Sequence, residues 1–143
     1  MRTLGIDFGE RRIGLALSDP EGRYALPSRV LERRSDAEAI AEIAALVVAE
    51  GVAALVVGEP RRPADGAPTA TGRRARRFGE KLAAATGLPV EWIDESLTSH
   101  EAAARLRESG ARRARRQTRS DALAAQILLQ EALDRRARRS AGG

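Results

Sequence analysis

Carboxylates that could work together stand at three places in the chain: Asp7 in GIDFGERRIGLALSD, the neighbours Asp94 and Glu95 in WIDESLTS, and Asp121 in SDALAAQILLQ. In a strand starting at Arg2, side chains alternate, so Thr3, Gly5, Asp7 and Gly9 share one face while Leu4, Ile6 and Phe8 take the other. Glycines on both sides of Asp7 let a backbone or a ligand come close. An aspartate at a strand end also starts turns through its own side chain, so Asp7 alone decides nothing. Asp94 and Glu95 point to opposite faces of a regular strand, and only one of them joins Asp7 easily. Asp121 falls in the first turn of a helix, where the macrodipole favours an acid with no chemistry required. What points to chemistry is the arrival of all three at ends of elements that must pack together. Two carboxylates about 4 Å apart repel by roughly 4 kcal/mol at an effective dielectric near 20, a liability that a divalent cation reverses. The chain has no cysteine and a single histidine. Such an all-oxygen donor set favours Mg2+ or Mn2+ over zinc. Two such ions can activate water and neutralise the charge developing on a phosphodiester, so that no protein nucleophile is needed.

The elements that must position these residues follow from periodicity and turns. Residues 2–8, 12–18 and 24–31 predict three strands, joined by GERR and DPEGR, connections short enough for hairpins. Ser35 and Glu38 form a capping box, and Ile40, Ile43, Ala44 and Val47 repeat at helical spacing until Gly51. VAALVVG reads as a strand buried on both faces of a parallel sheet. A Pro- and Gly-rich loop, residues 59–70, leads into a basic helix over 72–86, and LPVEWID is the last strand. Thr98 with Glu101 caps a further helix, and the final helix presents Leu123, Ala124, Ile127, Leu128 and Leu133. Three meandering strands followed by crossovers predict an α/β fold: a mixed sheet of five strands, three antiparallel and then two parallel, flanked by helices. We expect one domain over 1–138 and a disordered tail at 139–143.

At 143 residues the chain suits one core, long enough to bury about 68–70% of its unfolded surface. Without cysteine, disulfides and thiolate zinc sites are excluded. No apolar run approaches the roughly 18 residues of a membrane span, and MRTLGIDFG carries no apolar leader, so the expected location is the cytoplasm, away from membranes. Basic residues outnumber acidic ones by 25 to 20, and all but Lys81 are arginine, concentrated in RRPADGAPTATGRRARR, RESGARRARRQTR and DRRARRSAGG. Arginine's planar fork suits phosphate, so a polyanionic partner is expected, although an arginine run also serves as a solvated helix face. Arg11 in GERR and Arg112, Arg113, Arg115 and Arg116 in GARRARRQTR are the candidates for holding nucleic-acid phosphates beside the acids. Phe8, Tyr24, Phe78 and Trp92 are the whole aromatic complement, which argues for recognition of backbone and shape over bases. His100 sits in the first turn of a capped helix with no plausible nucleophile nearby and is read as a surface residue; Trp92 is read as core, and Thr98 and Ser99 as caps.

Taken in order, GIDFGERRIGLALSD, VVGEP followed by ADG, DESLTS and SDALAAQILLQ resemble the YqgF family, described as Holliday junction resolvases and as nucleases maturing the 5′ end of pre-16S ribosomal RNA, with an RNase H-like fold. The likeness runs from Arg2 to about Leu133. The first block is shared with sugar kinases and actin-type ATPases, whose fold needs two such domains closing on a nucleotide; the ordered set of four blocks is the specific part. The resemblance implies Asp7, Glu95 and Asp121 as catalytic and metal-holding residues; the chemistry of two-ion hydrolysis then assigns Asp7 to bridge two Mg2+ or Mn2+ ions, with Glu95 and Asp121 holding one each. Two departures stand out. Ser96 replaces the arginine that usually follows the glutamate, and Glu59 stands where leucine is usual, at a position where related crossover resolvases carry a catalytic acid. Glu59 and Asp94 are therefore rivals or additions to Glu95. The implied function is metal-dependent phosphodiester hydrolysis, endo- or exonucleolytic, in 5′ maturation of pre-16S rRNA, with branched DNA as the alternative substrate. A non-cleaving nucleic-acid-binding factor in ribosome maturation or transcription is a third reading. The implied partners are pre-rRNA or branched DNA, ribosomal precursor particles and a second copy in a homodimer.

Overall fold

The computed structural model describes residues 1–61, 65–95 and 116–142, with side chains from Ala122 onward in the last segment. Its elements are β1 (Arg2–Phe8), β2 (Arg12–Ser18), β3 (Ala25–Glu32), α1 (Asp36–Glu50), β4 (Val52–Glu59), α2 (Ala70–Thr86), β5 (Val90–Asp94) and α3 (Arg116–Gly142). The strands form one sheet in the order β3-β2-β1-β4-β5. β1 pairs antiparallel with β2 and β2 with β3, whereas β4 lies parallel to β1 and β5 parallel to β4. The expected mixed five-stranded sheet is the one observed.

Local chemistry accounts for the boundaries. Ser35 caps α1, its hydroxyl accepting the Glu38 N–H at 3.1 Å, and Gly51 closes it in the left-handed region at φ 64°, where a side chain would be strained. α2 begins two residues earlier than its apolar spacing predicts, because Thr69 takes the Gly72 N–H at 2.9 Å. The capping box at Thr98 and Glu101, with His100 and Ser99, lies outside the described residues. Residues 139–142, expected as a tail, continue α3, and there Arg139 meets Glu91 at 3.1 Å.

The sheet separates two cores. Leu4, Ile6, Leu55, Val57 and Phe78 fill the side covered by α1 and α2. Ala16, Val56, Ile93, Ala125, Leu128, Leu129 and Leu133 fill the side covered by α3. β4 is buried on both faces, which is why its sequence is a continuous apolar run. α3 packs very close to β1: a Cβ on Gly5 would lie 2.8 Å from Leu129 Cβ and 2.9 Å from the Ala125 carbonyl oxygen. That proximity selects small residues, so Ala122, Ala125 and Ala132 are buried. Leu123 and Ile127, expected in the core, are only half-buried on the flanks of the helix. Among the described residues no helix is long and apolar enough to cross a membrane.

Candidate active site

β1, β4 and β5 are parallel, so Asp7, Glu59 and Asp94 arrive at the same edge of the sheet. The carboxyl ends of strands are where open α/β sheets bind ligands. Strand alternation then sorts these acids by face. Asp7 shares its face with Gly5 and so points to the α3 side, half-buried. Its partner on β2 is Gly14, and the next step of the β1–β4 register, after Ile6 opposite Val57, sets Gly58 beside it. The floor around Asp7 is therefore cleared of side chains on both flanks.

Glu95 follows β5 directly and reaches back over this floor. Its carboxyl is hydrogen-bonded to that of Asp7, and it rests on Gly58, where a Cβ would collide with Glu95 Oε1. Burial, the hydrogen bond to Asp7 and the charges of Asp7 and Asp94 push the Glu95 pKa up to about 9. Two carboxylates in contact cannot both ionise without a cation, so at neutral pH the pair holds a proton. Linkage gives the sign. Between the ordinary value of 4.5 and about 9 the folded chain keeps a proton that the unfolded chain has released, so stability falls as pH rises, by at most about 1.4 kcal/mol per pH unit. In EDTA the wild type should lose more thermal stability between pH 5.5 and pH 8.5 than Glu95→Gln; equal slopes would refute the buried proton.

Asp121 belongs to the helix that covers this face. α3 runs antiparallel to β1, with Arg136 donating to Thr3 Oγ1 at 3.0 Å and Ala125 and Leu129 over Gly5. The backbone of Asp121, one turn before Ala125, therefore lies toward the Asp7 end of the strand. Among the described residues no group of three or more His, Cys, Asp or Glu side chains could hold a metal ion. Asp7 and Glu95 are the two that meet. Both offer hard oxygen donors, and a hard divalent cation in place of the shared proton would remove their repulsion, so the pair fits Mg2+ or Mn2+.

The rivals to Glu95 point elsewhere. By alternation Asp94 faces the α1 and α2 side. Glu59, 5% exposed, faces that side too and is engaged there: Arg61 Nη2 donates to its Oε1 at 3.3 Å and Arg76 Nη1 to its Oε2 at 3.0 Å, while the Arg76 guanidinium lies 4.4 Å from the Trp92 ring centroid. Glu59→Leu should keep cleavage within a few-fold of wild type and cost no more than about 2 kcal/mol in a denaturation midpoint, because both arginines are partly exposed and can turn to water. A loss above 100-fold would return Glu59 to the metal site. Arg11 is exposed in the β1–β2 turn, Arg116 opens α3, and Arg112, Arg113 and Arg115, like Ser96, lie outside the described residues. Sequence reasoning missed Gly14 and Gly58, although a glycine inside a strand pattern marks a close approach.

Comparison with known proteins accords with this architecture. The family model RuvX, described as Holliday junction resolvase, matches residues 1–135. A protein of Anaeromyxobacter sp. (strain Fw109-5), named "Putative pre-16S rRNA nuclease", is 46% identical over 136 residues, covering 95% of this chain and 98% of its own. One of the same name from Chloroflexus aggregans is 44% identical over 135 residues, covering 93% of each chain. Among solved structures, T. thermophilus RuvC in complex with Holliday junction substrate aligns with a TM-score of 0.63 at 19% identity over 96% of each chain, and so shares the fold, which is RNase H-like. With a family model and relatives that span nearly its whole length, the chain belongs to the RuvX family of YqgF-like Holliday junction resolvases.

Proposed function

We propose that this protein is a metal-dependent nuclease that hydrolyses phosphodiester bonds in the 5′ maturation of pre-16S rRNA, in the cytoplasm and on ribosomal precursor particles. The observation that carries the reading is the contact between the carboxyls of Asp7 and Glu95 over a floor of glycine at the carboxyl edge of the sheet. An empty fold gains nothing from such a pair. Asp7, Glu95 and Asp121 would hold Mg2+ or Mn2+, which when bound supplies an activated water and neutralises charge on the phosphate and the leaving oxygen. Asp7, fixed within a strand between Gly14 and Gly58, is the rigid member. Glu95, one residue beyond its strand, is the member whose proton must leave for the site to charge. The cleared floor admits the phosphate backbone close to both, and Arg11, Arg112, Arg113, Arg115 and Arg116 are the candidates to hold neighbouring phosphates.

The RNA reading rests on the names of the near-full-length relatives, and a second, cleavage of a four-way DNA junction, on the family's description. One experiment separates them: a pre-16S leader RNA and a four-way junction are incubated with the protein and MgCl2, with Glu95→Gln as the blank. Cleavage of the RNA at its 5′ leader supports the first reading, and symmetric nicks in the junction replace it by the second. Binding of either without Mg2+-dependent cleavage would leave a non-cleaving factor.

A further inference from the structure

Arg61, Arg73, Arg74, Arg76 and Arg77, the described arginines of RRPADGAPTATGRRARR, take no part in the contact between Asp7 and Glu95. We infer that the outer face of the first half of α2, with the β1–β2 turn beside it, is a second contact surface for the phosphate backbone of nucleic acid, on the side of the sheet away from α3. The inference rests on the nuclease reading and extends it from the reacting phosphate to the flanking strand.

The fold brings this surface to the right edge. Thr69, which caps α2, also donates its hydroxyl to the Pro60 carbonyl oxygen at 3.2 Å, so the helix begins at the carboxyl end of β4, the edge that carries Asp7 and Glu95. Arg74 reaches across to Glu10, which sets the β1–β2 turn and its exposed Arg11 against α2. The acids nearest the arginines of α2 are already paired. Glu10 has Arg74, Glu80 has Arg76, Glu59 has Arg61 and Arg76, and Asp36 has Arg33 and Lys81. Arg11, Arg73 and Arg77 are exposed and have no carboxylate partner among the described residues; Arg73 touches only the Pro68 carbonyl oxygen. Arg73 and Arg77 lie one turn apart on one face, about 6 Å along the axis, comparable with two nucleotide steps of a duplex strand at about 3.4 Å each.

The chemistry of this face also limits what it reads. Trp92 is covered by Arg76, and Phe8 and Phe78 are buried against each other with centroids 5.0 Å apart, so these rings are not offered to bases. Contact is therefore with phosphates, and affinity should follow salt rather than sequence.

The test measures binding in EDTA, by fluorescence anisotropy with a labelled pre-16S leader hairpin and a labelled four-way junction. Arg73→Glu/Arg77→Glu should weaken binding at least about tenfold near 100 mM salt and flatten the slope of log K against log salt by about two. Arg73→Lys/Arg77→Lys, which keeps the charge, should stay within about threefold of wild type. Arg23→Glu/Arg138→Glu makes the same change in net charge toward the opposite end of the sheet and should leave binding within about twofold. The surface is overturned if Arg73→Glu/Arg77→Glu binds like wild type, or if the control loses as much. A wild type that shows this arginine dependence but cleaves neither substrate removes the nuclease reading and leaves the surface standing. A wild type that cleaves while the charge reversal binds undiminished removes the surface alone.

Discussion

Asp7→Asn is expected to lower Mg2+-dependent cleavage by about 1,000-fold or more while leaving the metal-free protein at least as stable as wild type at pH 8. The two effects have one origin. Asparagine keeps the shape of Asp7 and can still hydrogen-bond Glu95, but it removes the charge a cation needs and the charge that Glu95 must endure. Loss of roughly 4 kcal/mol of transition-state stabilisation corresponds to about a thousandfold in rate. Relief of the contact between the acids, whose repulsion grows as the proton leaves above neutral pH, returns stability on the order of 1 kcal/mol. Cleavage assays in MgCl2 and thermal melts in EDTA read the two sides separately. Adding Mg2+ should raise the melting temperature of the wild type by mass action and do much less for Asp7→Asn. If activity and stability both fell sharply, Asp7 would be a structural residue of the strand end, and the nuclease reading would lose its central group.

How far the sequence discloses this site depends on which kind of order is asked of it. β1 and β2 are legible to the residue, because strict alternation and a three-residue turn leave the register no freedom. The end of α1 is equally legible, through Ser35 and Gly51. The meeting of Asp7 with Glu95 is legible only through the family resemblance, since it needs the parallel order β1-β4-β5, and nothing local in VVGE or WIDE says which strand will lie beside which. The same limit explains Glu59. Its alternation with Gly58 is plain in the sequence, but which of the two faces the covering helix depends on where α3 packs. α3 itself shows the reverse case: its large residues catch the eye, yet the close approach to Gly5 puts alanines at the centre of the contact and Leu123 and Ile127 at its edges. Short-range chemistry is readable where a residue acts on its own backbone, and becomes unreadable where it acts on another strand's glycine.

Gly58→Ala is the second change expected to have a large effect, and it carries no charge and touches no acid by name. A methyl group there would collide with Glu95 Oε1 and lie 2.9 Å from Glu95 Cδ and 2.6 Å from Leu128 Cδ1. Leu128 is 2% exposed under α3 and has nowhere to go, so the carboxyl of Glu95 yields first and leaves Asp7. Displacement of a reacting group by about 1 Å is enough for a loss on the order of 100-fold in rate. Stability should change far less. Overpacking costs about 1–3 kcal/mol, and alanine recovers roughly 0.5–1 kcal/mol over glycine inside a strand. The protein should therefore fold, fail to cleave, and show a shallower loss of stability between pH 5.5 and pH 8.5 than wild type, because a Glu95 driven off Asp7 no longer holds the buried proton. That pH signature separates a displaced Glu95 from general damage to the core, which would lower the melting temperature at every pH alike. A Gly58→Ala protein that cleaves near the wild-type rate would show that the seat of Glu95 over Gly58 is not the one used in the reaction.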